Sequence, residues 1–100
     1  MRKIESEMVH NVMMGRDWSQ ANTRVQRFAS LTSSGCDVYL HGHLIATVWN
    51  ACDGRERWSV VVNKDTLRDW PTRTTMSRLR ALGVDVCTRK GEVLLDGVAL

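Results

Sequence analysis

Two short segments of alternating character, Cys36-Asp37-Val38-Tyr39-Leu40-His41 and Leu44-Ile45-Ala46-Thr47-Val48-Trp49, are separated by only Gly42 and His43. A link of two residues joins antiparallel neighbours and leaves no room for a crossover helix, so this stretch commits the chain to an antiparallel sheet. Glycine as the first turn residue supplies the positive φ that a tight hairpin needs. With the turn at Gly42-His43, Leu40 is predicted opposite Ile45, Val38 opposite Thr47 and Cys36 opposite Trp49. Those six share one face, because paired residues lie on the same side and sides alternate along a strand. That face is the expected core side. The other, with Asp37, Tyr39 and His41 beside Leu44, Ala46 and Val48, is mixed and expected to be partly wet.

The rest of the chain supplies what such a sheet needs around it. Arg2 to Met14 reads as a helix whose Ile4, Met8 and Val12 recur every four residues, widened by Val9 and Met13 and closed by Gly15. Arg16 to Asn22 is polar apart from Trp18 and reads as a connection, followed by a strand over Thr23 to Phe28 and a turn at Leu31 to Gly35. A loop at Asn50 to Gly54 leads to a further strand, Arg55 to Asn63, with Trp58, Val60 and Val62 on one face. Lys64 to Asp69 leads on to Trp70. Pro71 biases Trp70 away from helical geometry, so a second helix is predicted to start after it, with Thr72 or Thr74 as its N-cap. Met76, Leu79 and Leu82 form its buried stripe and Gly83 ends it. Val84 to Thr88 and Glu92 to Leu95 flank Arg89-Lys90-Gly91 as a closing hairpin. The prediction is one α+β domain over residues 1–100: N-terminal helix, antiparallel sheet of three to four strands, second helix, C-terminal β-hairpin.

Composition narrows the function. A formal charge of +3 falls short of the concentrated basicity that makes nucleic acid the default partner. Cys36, Cys52 and Cys87 are an odd set without CxxC spacing, which points to reduced thiols rather than a disulfide framework. Acids follow directly on Met1-Arg2-Lys3-Ile4, so no signal peptide is read, and no apolar run approaches membrane-spanning length. His41 and His43 straddle a glycine and splay apart, so they are not read as metal ligands. No nucleophile, base and orienting group can be named together, and Cys52, the one loop cysteine, carries no mark of activation. The expectation is therefore a non-enzymatic protein without metal or cofactor.

Surface chemistry concentrates elsewhere. From Trp70 to Val84 there are three arginines and no acids, and a threonine-rich helix start suits an anion. At ~100° per residue, Arg73 and Arg80 share a side while Arg78 points elsewhere. Trp49 and Trp58 are expected in the core. Trp18 and Trp70 stand at element boundaries, where a ring can close the core or anchor a partner. The candidate binding residues are Arg73, Arg78, Arg80, Trp70, Tyr39, His41 and His43.

Three of these stretches carry a resemblance. Ala21-Asn22-Thr23-Arg24-Val25, Val38-Tyr39-Leu40-His41-Gly42-His43-Leu44-Ile45-Ala46 and Trp70 to Leu82 resemble a family of small tailed-bacteriophage proteins. That family shows Asn-Thr-x-Val, Leu-His-Gly-Asn-x-Ile-Ala and Trp-x-Thr-x-Thr-Thr-x-x-Arg-Leu-Asn-Ala-Leu in the same order. His43 and Arg80 stand where it has Asn, so a surface role of the helix amide does not carry over. The resemblance implies phage origin and, by analogy, a protein that binds and inhibits or modulates a host or anti-phage defence complex during host takeover, in the host cytoplasm. The alternative is a DNA- or RNA-binding protein using the arginine-bearing helix. No membrane partner is expected, and self-association stays open.

Overall fold

A computed structural model describes residues 2–29, 34–49 and 59–100. The elements run α1 (Lys3–Met14), β1 (Trp18–Gln20), β2 (Thr23–Ala29), β3 (Ser34–Leu40), β4 (His43–Trp49), β5 (Ser59–Val62), α2 (Lys64–Asp69), α3 (Arg73–Ala81), β6 (Val86–Arg89), β7 (Glu92–Leu95) and β8 (Val98–Ala99). The first five strands form an antiparallel sheet in sequence order, and the last three form a second, smaller sheet. The α+β class holds, with the sheet extended at one edge by β1, the segment read from sequence as a connection.

Helices α1 and α3 pack together and against the sheet, and α2 lies on β4. Their buried residues, Met8 and Val12 from α1, Leu67 from α2, and Met76, Leu79 and Leu82 from α3, meet Val25, Val38, Leu40 and Val48 in one core. Trp18 packs against its edge. Met13, expected in the buried stripe, is half exposed instead. Cys36 is buried, whereas Cys52 and Trp58 lie outside the described residues.

The central hairpin departs from its predicted register in two steps. His41 and Gly42, with φ of 52° and 79°, make the turn. Two consecutive positive φ values are what a type I′ turn requires. Leu40 therefore pairs with His43 and Tyr39 with Leu44, a shift of two that leaves the faces unchanged. A bulge between Val38 and Tyr39 then makes Val38 pair with Ala46 and Cys36 with Val48. One extra residue swaps the sides of everything beyond it. Ile45 stays buried, Ala46 and Val48 enter the core, and Thr47 and Trp49 turn outward. The predicted core positions of Thr47 and Trp49, and the wet positions of Ala46 and Val48, are thus corrected. The core accepts the compact aliphatic side chains. Thr47 hydrogen-bonds Asp37 at 2.8 Å, while Trp49 meets Phe28 edge-on at 5.0 Å. Gly35 sits against the Phe28 ring, where a Cβ would lie 2.2 Å from the Val48 carbonyl oxygen.

Candidate functional site

The α2–α3 corner arises from local chemistry. The Asn63 side chain accepts from the Thr66 amide and starts α2, a six-residue helix that sequence reading left as a lead-in. Trp70 ends it, and Thr72 caps α3 by accepting from the Thr75 amide at 3.1 Å. Of the two predicted N-caps, Thr72 is the one used. Pro71 lies between the helices, where its fixed φ and missing N–H discourage one continuous helix. Trp70 is left 54% exposed at the corner.

Behind the corner lies a buried ion pair. Arg78 is 3% exposed, and its Nη1 donates to Glu5 Oε2 at 2.8 Å. Ser77 donates to the same carboxylate oxygen, and the Arg2 amide donates to Oε1 at 3.3 Å. Burial pushes the Glu5 carboxyl up, but the hydrogen bonds from Ser77 and Arg78, together with the guanidinium charge, hold it below the ordinary carboxylate value.

From this pair a hydrogen-bonded chain leads outward, starting at the arginine. Arg78 Nε can only donate, so Thr23 Oγ1 accepts it at 3.1 Å. The Thr23 hydroxyl then donates to Asn22 Oδ1 at 3.0 Å. The Asn22 amide nitrogen is thereby turned to His41 Nε2 at 3.3 Å. With the amide nitrogen in this orientation, Nε2 is the acceptor. The His41 backbone amide also donates to the Asn22 carbonyl at 2.7 Å, which fixes the hairpin tip against the β1–β2 turn.

Beside the chain's outer end is a cavity of about 160 Å³, with Leu40 and Ile45 from the hairpin, Thr66, Thr72 and Thr75 from the helices, and His41, His43 and Trp70 around it. The His43 and Trp70 rings stack at 5.4 Å with 27° between their planes.

The candidate residues separate accordingly. Trp70, His41 and His43 come together at this cavity. Arg73 is exposed on the first turn of α3. Arg80 is exposed but its Nε donates to the Val86 carbonyl at 2.9 Å. Arg78, a surface candidate from sequence, is a core residue. Tyr39 lies on the sheet face away from the core, with the Arg24 guanidinium 4.4 Å from its ring centre. Sequence reading missed Glu5, Thr23, Asn22, Thr72 and Thr75 as members of one assembly. The three segments that carry the phage resemblance meet here: Asn22 and Thr23, the His41 hairpin, and Trp70 to Arg78. A larger cleft of about 450 Å³, lined by Val60, Val62, Leu82 and Leu95 among others, contains none of the candidates.

Residues 1–98 match the family described as Kyanoviridae Gp96 protein. The chain belongs to this family. It is thus a phage protein, as the resemblance implied. Nothing matches it among curated proteins or among solved structures. Among its described residues, no group of three or more His, Cys, Asp or Glu is placed to hold a metal, and no helix is long and apolar enough to cross a membrane. In this Gp96-family chain the Trp70 corner joins an exposed aromatic ring, a cavity and a buried, hydrogen-bonded support.

Proposed function

We propose that this phage protein works by binding, without catalysis, and that it inhibits or modulates a host or anti-phage defence complex in the host cytoplasm through the Trp70–His43 corner. The observation that carries this reading is the exposed Trp70 ring, held by stacking on His43 at the mouth of a cavity. Large rings beside pockets on rigid elements are the side chains that most often dominate protein interfaces. Nucleic-acid binding by the arginine-bearing helix has less support. Arg78 is engaged with Glu5 and Thr23, the Arg80 Nε is held by a carbonyl, and Thr72 already serves the helix amide an anion would use.

Affinity capture from infected cells tests the reading. A specific host or defence complex is expected with the native chain and should be lost with Trp70→Ala. Absence of any specific partner, together with salt-dependent nucleic-acid binding that weakens with Arg73→Ala, would overturn it.

A further inference from the structure

We propose that the cavity beside Trp70 is a socket for one apolar side chain of the partner protein, of leucine or phenylalanine size. This rests on the protein-binding reading above and names what the corner grips. Volume sets the first limit: at about 160 Å³ the cavity matches the roughly 150 Å³ apolar cavities that admit a benzene ring. It is too small for a nucleotide.

Hydrogen bonding sets the second. Leu40 and Ile45, both buried, supply the aliphatic wall. Thr72 Oγ1 accepts from the Thr75 amide and lies 2.9 Å from Thr75 Oγ1, so the two hydroxyls largely satisfy each other. His41 Nε2 is occupied by Asn22. Thr66, His43 and Trp70 contribute the remaining polar atoms, and no arginine or lysine lines the cavity. A phosphate is best held by arginine or lysine, and neither stands in this wall. The surface the cavity presents is mainly apolar, so an apolar group meets matching surface when it displaces water here. Trp70 and His43 at the mouth then cover it from solvent, as rings around a buried anchor do.

The test is an amide NMR titration of the native chain with N-acetyl-leucinamide and N-acetyl-phenylalaninamide, with N-acetyl-lysinamide and inorganic phosphate as comparisons. The apolar probes should give saturable shifts at Leu40, Ile45, Thr66 and the Trp70 indole, while the other two leave these signals unmoved. Thr66→Met, which extends into the cavity, should weaken probe binding at least tenfold. Its cap is unaffected, because Asn63 bonds the Thr66 backbone amide. Equal shifts with phosphate or lysinamide, or no saturable shifts with the apolar probes, would overturn the socket, and this holds even if Thr66→Met fails to fold. A captured partner that survives Thr66→Met but is lost with Trp70→Ala would overturn the socket and leave protein binding standing. Saturable probe shifts without any captured partner would support the socket and count against protein binding.

Discussion

Helix α3 carries two polar clusters of opposite physical character. At its N-terminus, Thr72 and Thr75 sit beside a cavity with Trp70 turned to solvent. Further along the helix, Arg78 and Ser77 close on Glu5 of α1, where both charged side chains retain only 4% exposure. Arginine and tryptophan are both frequent anchors of interfaces, and from sequence both were candidates. Their surroundings reverse the ranking. The guanidinium is consumed by the fold, and Trp70 is left half exposed. Enclosure, not residue type, separates the structural Arg78 from Trp70, the residue proposed to bind.

The largest expected effect is on the enclosed side. Arg78→Met strands the Glu5 carboxylate in the core and should cost about 3–5 kcal/mol in urea unfolding, the usual loss when one partner of a buried pair is removed. A loss near zero would mean that the pair is solvated and the contrast false.

The pH dependence sharpens the same point. Glu5 has a folded pKa below its ordinary value of 4.5, so the unfolded chain binds its proton more readily. The contribution of Glu5 is therefore present above the unfolded value and lost as pH falls through the folded one. The stability difference between the native chain and Glu5→Gln should be full at neutral pH and shrink below pH 4.5. A gap independent of pH would show that the carboxylate charge is not what matters.

Replacing both charges is expected to do less harm than removing one. Glu5→Leu with Arg78→Met should recover most of the single-variant loss, to within about 2 kcal/mol of the native chain, because a buried pair owes much of its apparent worth to the cost of leaving one charge alone. If the double variant is as unstable as Arg78→Met, the hydrogen bonds to Ser77 and Thr23 carry the cluster instead.

The smallest effect belongs to the open side. Trp70→Ala should change unfolding stability by less than about 1 kcal/mol, since the residue is already half exposed. A thermal melt lowered as far as that of Arg78→Met would make Trp70 a core residue and remove the basis for its proposed binding role.

How much of this was legible depends on how local each cause is. The start and end of α3 were readable, because Pro71, the Thr72 cap and Gly83 act within a few residues, and Met76, Leu79 and Leu82 follow the helical period. Strand β1 was hidden, since three residues with only Trp18 turned to the core give no alternation to count. Helix α2 was hidden too, having one buried residue, Leu67, although Asn63 followed by an acid in the first turn was a usable cap signal. The hairpin existed in the sequence, but its bulge did not, because swapping Thr47 for Val48 on the core side depends on what the helices press against β4. The site was half visible. Trp70, His41 and His43 were candidates individually, yet nothing in their spacing says that they share a cavity.

By itself, the sequence determined the antiparallel sheet, the boundaries of α1 and α3, and the direction in which Arg78 points relative to Arg73 and Arg80. Those are consequences of turn chemistry and helical angle, which act over short separations. Only the tertiary structure decided that Arg78 points into Glu5, 73 residues earlier, and that a hydrogen-bonded chain runs from that pair to the His41 hairpin. A lone charge tolerates burial only with a partner, and which partner arrives is fixed by how α1 and α3 pack.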